Sequence, residues 1–250
     1  MNKKIKKNWE FNVLGIDNYK KDGKLSYYYN FIEENINKIQ GDLLEVGVFR
    51  GKTIISTALL LKELGSNKKV YGFDSFEGFP IEKNSYDDFS QFSTLYKEKR
   101  ISREHYEDHQ KLISIKTDLE KINPNFSNIS SSGMFDNTSY EYVKNKIDYF
   151  SLDNIELVKG DFKKTMQQEK KYKFMSVFLD CDLYHSYVYS LNFSWKYMVS
   201  GAFMYLDEYY SLKFPGARIA CDDFFENKKD KPFLISNYEN EFERWGVFKS

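Results

Sequence analysis

Four carboxylates come directly after two apolar segments and form the most distinctive group of reactive side chains in the sequence. The first pair follows residues 174–179 and the second pair follows residues 202–206. The four are Asp180, Asp182, Asp207 and Glu208. Carboxylates held together raise one another's pKa unless a cation neutralises them, and oxygen ligands favour a hard ion such as Mg²⁺. We therefore predict a divalent-metal site, with helix caps and ion pairs to Lys or Arg as the alternative interpretation.

A glycine-containing turn is the second candidate site. Gly47 and Gly51 lie between an apolar segment and a helical pattern. Glycines at a strand-to-helix turn let a ligand approach the backbone, and a helix N-terminus favours negative charge. The spacing is G-x-x-x-G and not G-x-G-x-x-G, so it indicates a turn beneath a nucleoside and a carboxylate more than a pyrophosphate cradle. A tight turn that simply needs glycine is the structural alternative.

Two further acids lie after apolar segments on the same predicted edge. Asp74 could accept hydrogen bonds from both ribose hydroxyls, or could cap a helix. Ser75, the next residue, is placed with it among the candidate cofactor contacts. Asp161, after Gly160, could accept from an exocyclic adenine amine or cap the helix that begins near residue 163. In this order along the chain, these residues favour a nucleoside-binding site.

Histidines add less information. His185 follows the first acid pair and is a candidate base or substrate contact, with Asp182 as the other candidate base. His105 and His109 are four residues apart, but the glutamate between them is not where the H-E-x-x-H zinc motif needs it. We therefore predict that these two histidines lie on a solvated helix face. The charged stretch 97–100 is predicted to be solvated as well.

The elements that must position these residues alternate between strand and helix. Strands are predicted at 43–47, 69–74, 154–159, 174–179 and 202–206, and helices at 53–64, 140–150, 184–198 and 215–225. Strands separated by helical stretches of this length indicate a parallel sheet with helices on both faces. Residues 233–235 and 245–248 fit a closing pair of strands. The fourth and fifth strands are expected to be neighbours, so that the four acids meet at one edge.

The chain is predicted to be a single α/β domain over residues 1–250 with two additions. Residues 1–40 form an N-terminal helical segment. Residues 81–139 form a helical insertion, or lid, between the second and third strands, because a structureless loop of that length is uncommon in a compact domain. A mobile polar segment is expected near residues 125–137.

Composition excludes several classes of protein. Lys+Arg and Asp+Glu both number 37, so the net charge of zero argues against a general nucleic-acid binder. No apolar run is long enough to span a bilayer, so no membrane partner is expected. Cys181 and Cys221 are the only cysteines, which favours free thiols and a cytoplasmic location. Whether the chain forms a homo-oligomer is left open.

At this point the sequence resembles the macrocin O-methyltransferase (TylF-like) family of S-adenosylmethionine-dependent enzymes. The resemblance rests on blocks in the family's order within residues 41–225. They are residues 41–51, 71–80 (Tyr-Gly-Phe-Asp-Ser-Phe-Glu-Gly-Phe-Pro), 143–165, 179–184, the acid pair at 207–208 and 215–224. The block at 71–80 is the most specific of them.

The resemblance implies a Rossmann-like class I methyltransferase with a mostly parallel seven-stranded sheet. It implies that Glu45, Gly47 and Gly51 surround the methionine end of the cofactor, with Asp74 on the ribose and Asp161 near the adenine. It also implies magnesium at Asp180 or Asp182 together with the pair Asp207 and Glu208. The acceptor is expected to be a hydroxyl of a sugar or of a glycosylated small molecule.

The sequence departs from the family in two places. The acid pair is Asp-Glu where the family commonly has Asp-Asp, and the segment 84–137 is longer than usual. Two other functions remain as alternatives: an NAD-dependent oxidoreductase on the same sheet, and a non-catalytic methyltransferase-like protein that binds a partner through its insertion.

Overall fold

A computed structural model describes residues 5–80, 84–167, 171–236 and 242–250. Within these ranges the centre of the molecule is a seven-stranded sheet of order β3-β2-β1-β4-β5-β7-β6. The strands are β1 Asp42–Val46, β2 Val70–Asp74, β3 Ile155–Lys159, β4 Phe174–Leu179, β5 Met198–Leu206, β6 Phe233–Ser236 and β7 Arg244–Phe248. Strands β1 to β5 are parallel, and β7 runs antiparallel to both β5 and β6. This confirms the predicted Rossmann-like fold with a mixed, mostly parallel sheet.

Helices precede, connect and flank these strands. They are α1 Asn8–Leu14, α2 Ser26–Asn35, α3 Lys52–Glu63, α4 Ser90–Lys97, α5 Arg103–Glu120, α6 Tyr140–Phe150, α7 Phe162–Thr165, α8 Tyr184–Tyr197 and α9 Pro215–Phe225. Several begin where the sequence supplies a capping oxygen: the Ser102 hydroxyl accepts from His105 N–H in α5, and the Ser139 hydroxyl accepts from Tyr142 N–H in α6.

The sheet is covered on both faces, because its central strands are apolar on both sides. Strand β4 is buried along its whole length. Its Met175 and Phe178 pack into the core on the side of α2, α3 and α6, whereas Val177 and Leu179 pack into the core on the side of α8 and α9. The faces alternate from Val177 to Leu179 with the two-residue period of a strand, and the register irregularity between Phe174 and Ser176 places Met175 on the same side as Phe178. The parallel pairing of β4 with β1 and with β5 places the carboxyl ends of these strands side by side, which is where the predicted acids lie.

The insertion between β2 and β3 contains α4 and α5, as a helical insertion was predicted to do; residues 81–83 of it lie outside the described residues. It packs on the sheet's carboxyl side through two small apolar clusters. One joins Phe92 and Leu95 to Ile219 of α9. The other joins Ile129 to residues of the loops after β4 and β5. Ile129 is buried, while the mobility expected of residues 125–137 stays a prediction.

None of the described helices is both long enough and apolar enough to cross a bilayer.

Candidate cofactor and metal site

A crevice of about 500 Å³ opens at the carboxyl edge of strands β1 to β4. Its wall is made by the turns that leave these strands and by part of the insertion. The lining residues are Gly47, Phe49, Asp74, Ser75, Glu77, Gly78, Phe79, Pro80, Phe135, Gly160, Asp161, Phe162, Asp180, Cys181, Asp182 and Ser186. Seven of the twelve predicted site residues therefore line one cavity. Its volume lies within the roughly 300–1,000 Å³ typical of small-molecule sites.

Gly47 lies where the turn after β1 meets the turn after β4. Its φ of 89° lies in the region that favours glycine, and a Cβ added there would come 1.7 Å from the backbone oxygen of Asp180. The glycine is therefore required by the close approach of two protein backbones. It also leaves the floor of the crevice free of a side chain.

Asp74, at the end of β2, ties together the two turns on either side of it. Its Oδ2 accepts from Phe49 N–H at 2.8 Å, and its Oδ1 accepts from Phe76 N–H at 2.6 Å. Burial raises the pKa of Asp74, and these backbone donors oppose that shift. No described helix begins at Asp74, so the helix-cap interpretation is wrong for this residue. Each carboxylate oxygen has further acceptor capacity for a ligand hydroxyl. Beside it, the Ser75 hydroxyl donates to the carbonyl of Gly78 at 3.2 Å.

Asp161 caps a helix and also lines the crevice, so its proposed contact with adenine stays a prediction. Its Oδ1 accepts from Lys163 N–H at 2.9 Å and so caps the short helix α7. Asp161 also lines the crevice next to Gly160, whose φ is 142°. The cap fixes the carboxylate at the crevice wall without preventing its other oxygen from accepting from a ligand.

Glu45 and Gly51 do not belong to the crevice wall. Glu45 is 1% exposed on β1, and burial raises its pKa well above the ordinary value. Within the part of the chain that the structure describes, its Oε2 has no hydrogen-bond partner. Gly51 is the N-cap of α3, and a Cβ added there would meet the side chains of Val143 at 3.0 Å and Ile55 at 3.2 Å. Gly51 therefore allows α6 to pack against α3 behind the crevice, and direct cofactor contact by these two residues stays a prediction.

Three of the predicted acids meet beside the crevice. Asp180, Asp207 and Glu208 each offer one carboxylate oxygen, and these atoms lie within 4.8 Å of one another. Asp180 follows β4, and the acid pair begins the 3₁₀ turn Asp207–Tyr209 after β5. The longer Glu208 side chain therefore reaches the same group as the two aspartates, so the Asp-Glu pair does not break the cluster.

Two carboxylates of the acid cluster have raised pKa values and the third has an unsatisfied oxygen, as expected of like charges held close together. Burial, and then the charge of Asp207, raise the pKa of Asp180 well above its ordinary value. The same two causes raise the pKa of Glu208 to about 7. Asp207 Oδ1 is buried without a hydrogen-bond partner among the described residues, and the ammonium of Lys24 lies 3.7 Å from it. Three oxygen donors with one unsatisfied buried oxygen fit a hard divalent cation.

Asp182 lies outside this group of three. Strand β4 ends at Leu179, and Asp182 has a φ of 57°, so the two aspartates do not follow the alternation of a continued strand. Asp182 is 7% exposed and lines the crevice, and burial together with the charge of Glu208 raises its pKa well above the ordinary value. The geometry therefore favours Asp180 over Asp182 as the ligand.

His185 lies away from the crevice wall. It is exposed in the first turn of α8, and its Nε2 lies 2.7 Å from the side-chain amide nitrogen of Asn84. A role as base stays a prediction for this histidine, but its neighbour Ser186 is the residue of α8 that lines the crevice.

Sequence reasoning missed residues that hold the acids in place. The Tyr187 hydroxyl is fully buried, accepts from Glu208 N–H at 3.1 Å and donates to the Leu179 carbonyl at 3.1 Å. It thereby links the ends of β4 and β5. Lys24 belongs to the N-terminal segment and lies far from Asp207 in the sequence, so no sequence motif contains both residues. Only the folded structure could identify either residue.

The histidines of α5 are buried, so the prediction of a solvated helix face is wrong. His105 is 2% exposed and His109 is 5% exposed. The helix turns this face toward the loop after β5, where the backbone carbonyls of Ser211 and Leu212 need donors. The prediction for residues 97–100 is also wrong at Arg100, which is partly buried and pairs with Asp222 at 2.8 Å.

The family of the chain follows from comparison with known proteins. A family model described as macrocin-O-methyltransferase (TylF) matches residues 24–126 and 130–237. The chain belongs to this family. It is also 26% identical over 212 residues to the 8-demethyl-8-(2,3-dimethoxy-alpha-L-rhamnosyl)-tetracenomycin-C 4'-O-methyltransferase of Streptomyces olivaceus, a match that covers 84% of this chain. The chain spans 66% of the length of that curated relative, about two thirds of it.

Solved structures show the same fold. The O-methyltransferase NovP has a TM-score of 0.64 at 20% identity, over 91% of this chain and 79% of its own. The calicheamicin methyltransferase CalS11 has a TM-score of 0.60 at 16% identity, over 97% of this chain and 80% of its own. An O-methyltransferase from Bacillus cereus, solved with S-adenosylhomocysteine, has a TM-score of 0.53 at 12% identity, over 98% of this chain and 93% of its own.

Membership of the TylF family confirms the resemblance on which the sequence prediction depended. It supports S-adenosylmethionine as the methyl donor and an enzyme of the O-methyltransferase class. It decides against the NAD-dependent oxidoreductase.

Proposed function

We propose that this chain methylates a hydroxyl of a sugar or of a glycosylated small molecule, using S-adenosylmethionine and a divalent cation. The observation that carries the proposal is the position of the acid cluster. The carboxylate oxygens of Asp180, Asp207 and Glu208 lie within 4.8 Å of one another, and Asp180 is also part of the crevice wall. A group of carboxylates that could hold a metal ion thus adjoins the cavity of a chain from a methyltransferase family.

The methyl donor would bind in the part of the crevice made by the turns after β1, β2 and β3. Asp74 would accept from the ribose hydroxyls, and Asp161 would accept from the adenine amine. Gly47 and Gly160 leave space for the ligand beside the backbone. Bound there, S-adenosylmethionine supplies an electrophilic methyl group on a positively charged sulfur. The protein residues contribute by aligning acceptor and donor, which is worth several kcal/mol in bimolecular reactions of this kind.

The cation would be held by Asp180, Asp207 and Glu208. When bound, it acts as a Lewis acid that makes a sugar hydroxyl easier to deprotonate. The protein residues must then accept the proton and keep the cluster in shape. Asp182 lines the crevice and is buried next to the cluster, so we assign the proton-accepting role to Asp182 in preference to the exposed His185.

The acceptor class rests on the relatives. The Streptomyces olivaceus protein is named for methylation of a rhamnosylated tetracenomycin, and CalS11 is described in one structure as a TDP-rhamnose 3'-O-methyltransferase. A deoxysugar hydroxyl, free as a nucleotide sugar or attached to a natural product, is therefore the acceptor to test first. A cytoplasmic location is part of the same proposal, since both cysteines are free thiols.

The decisive experiment measures methyl transfer to a panel of sugar acceptors with and without EDTA, in the wild type and in Asp180→Ala and Asp207→Ala. We expect each variant to lose turnover by a factor on the order of 10³, as when a transition-state charge loses its stabilising partner. S-adenosylhomocysteine should still bind to both. Turnover that survives EDTA and both substitutions would refute the metal-assisted mechanism.

The non-catalytic alternative makes a different prediction in the same assay. A binding protein would transfer no methyl group to any acceptor, whether or not it binds S-adenosylhomocysteine. Replacing Asp180 or Asp207 would then leave the binding of its partner unchanged.

A further inference from the structure

The loop that follows β5 carries two of the three proposed metal ligands and has little regular structure. After the 3₁₀ turn Asp207–Tyr209, residues 210–214 connect to α9 without a helix or strand. A loop of this kind must find partners for its buried backbone carbonyls outside itself. We refer to residues 207–214 as the acid loop.

Helix α5 of the insertion provides these partners. The Nε2 of His105 lies 2.8 Å from the Ser211 carbonyl oxygen, and the Nδ1 of His109 lies 2.8 Å from the Leu212 carbonyl oxygen. A carbonyl oxygen can only accept, so His105 carries its proton on Nε2 and His109 carries its proton on Nδ1. Two consecutive carbonyls are thus held by two side chains one helical turn apart.

Ring packing fixes the two histidines themselves. His109 stacks on Phe92 of α4 at a centroid distance of 3.8 Å, and His105 stacks on Tyr210 of the acid loop at 4.0 Å. Both imidazoles are therefore restrained by packing as well as by hydrogen bonds.

The contact reaches the residues next to a proposed metal ligand. The Ser211 hydroxyl accepts from Lys213 N–H at 3.2 Å and from Phe214 N–H at 3.1 Å, which closes the loop on itself. His105 therefore holds the backbone three residues after Glu208 and, through Tyr210, the ring two residues after it. On the other side of the loop, the Tyr209 hydroxyl donates to Asp222 at 2.8 Å, and Arg100, which precedes α5, pairs with the same carboxylate.

We propose that His105 and His109 are positioning residues that hold the acid loop in the geometry required for divalent-cation binding. The insertion then acts as a support for the metal site as well as part of the crevice wall. The inference rests on the proposed function, because it assumes that the acid cluster binds a cation.

The experiment compares Mn²⁺ affinity, by electron paramagnetic resonance titration, with S-adenosylhomocysteine affinity, by calorimetry, in matched variants. His105→Leu and His109→Leu, singly and together, remove the donors. His105→Gln and His109→Asn keep an amide N–H near the position of the original donor. His105→Asn and His109→Gln are equally polar but place the amide elsewhere. Glu107→Gln, on the exposed face of the same helix, is the control.

We expect the double leucine variant to lose about tenfold to a hundredfold in Mn²⁺ affinity, the range seen when partners of metal ligands are removed. Its S-adenosylhomocysteine affinity should stay within about twofold of the wild type, which also shows that it folds. The Gln and Asn variants with matched donor positions should retain Mn²⁺ binding, the mismatched pair should lose it, and Glu107→Gln should behave as the wild type.

Other outcomes overturn the inference in distinguishable ways. Folded leucine variants with unchanged Mn²⁺ affinity would show that the histidines only fill space. Equal losses for Mn²⁺ and S-adenosylhomocysteine would show support of the whole crevice and not of the acid loop. If leucine variants do not fold, equal Mn²⁺ affinity in the matched and mismatched polar variants overturns it. A wild type that binds no Mn²⁺ refutes the metal assignment itself, and the inference falls with it.

Discussion

The two sides of the crevice are built on different principles. On the side of β1, β2 and β3, one carboxylate, Asp74, accepts backbone N–H groups of two turns, and Asp161 caps the helix that follows it. Each acid there is satisfied by donors close to it in the fold. On the side of β4 and β5, three carboxylates face one another with raised pKa values or an unsatisfied oxygen.

The difference shows how each side is stabilised. We call the side of β1, β2 and β3 the donor side and the side of β4 and β5 the acid side. The donor side needs no distant groups, because its carboxylates are paired with backbone N–H groups that the turns themselves provide. The acid side carries like charges that repel, so it depends on groups from elsewhere: Lys24 from the N-terminal segment, Tyr187 from α8 and the histidines of α5. The two sides touch at Gly47, against the Asp180 carbonyl. Substitutions should therefore affect one side, the other, or both.

Gly47→Ala should damage both sides and have the largest effect. Its Cβ would lie 1.7 Å from the Asp180 oxygen, at a φ of 89°. Overlap and backbone strain together should lower the free energy of unfolding by about 4 kcal/mol. Gly65→Ala is the control, because Gly65 also has a positive φ, of 65°, but nothing within 4 Å of the added Cβ. Denaturant unfolding measures both; equal losses in the two variants would contradict the close contact of the turns.

Asp74→Ala should affect the donor side alone. It leaves the N–H groups of Phe49 and Phe76 without their acceptor and removes the proposed ribose contact. Hydrogen bonds to a charged group are worth about 1.5–3 kcal/mol, so S-adenosylhomocysteine affinity should fall by a factor on the order of a hundred. Calorimetry measures this, with Asp74→Asn expected to lose less. Mn²⁺ affinity should stay within about twofold, and a larger loss there would show that the two sides are not independent.

Acidification should weaken the contact between α5 and the acid loop. Burial lowers the pKa of His105 from 6.5 to about 4. The unfolded chain therefore binds a proton in this window that the folded chain does not, and the stability contributed by His105 is present at pH 7 and falls on acidification. From pH 7 to pH 5 the loss is about 2 kcal/mol.

This pH effect is isolated by comparison with His105→Gln, which cannot titrate at that position. The stability difference between the wild type and His105→Gln, measured by urea unfolding, should decrease by that amount between the two pH values. A constant difference would mean that His105 is not held as a neutral donor.

Lys24→Met should have the smallest effect, and it should strengthen the binding of Mn²⁺ on the acid side. The Lys24 ammonium lies 3.7 Å from Asp207 Oδ1 and competes there with a cation, although its side chain is 45% exposed. Removing it should raise Mn²⁺ affinity about fivefold, a change of about 1 kcal/mol for a solvent-screened pair. Lys20→Met, which removes an exposed pair with Glu63, is the matched control and should leave Mn²⁺ affinity unchanged. Unchanged or weaker binding in Lys24→Met would exclude such competition.

The fold was predicted well because its signals are local. Apolar segments of strand length, each followed by a helical pattern, define the βαβ units, and the acids and glycines that end them come directly after. The donor side was accessible for the same reason: Gly47, Asp74 and Asp161 each end or follow a strand, and the structure brings all three to one cavity. At Glu45 and Gly51 the sequence showed proximity to the turn but not which side of it they face.

The acid side shows the limit of such inference. The pattern indicated that Asp180, Asp207 and Glu208 should converge, and they do. It did not distinguish Asp180 from Asp182, because that depends on where β4 ends and on the positive φ of Asp182. For His105 and His109 it indicated the wrong surroundings, since the backbone carbonyls that they contact belong to a loop about 100 residues further along the chain.

The sequence alone therefore determined the order of strands and helices, the family and the set of acids at the strand ends, since each depends on neighbouring residues and on the periods of strand and helix. The tertiary structure decided which acids lie within 4.8 Å of one another, that the ammonium of Lys24 lies beside Asp207, and that the histidines of the insertion contact the acid loop. These depend on contacts between distant segments, whose partners are chosen by packing and by the need to satisfy buried polar groups.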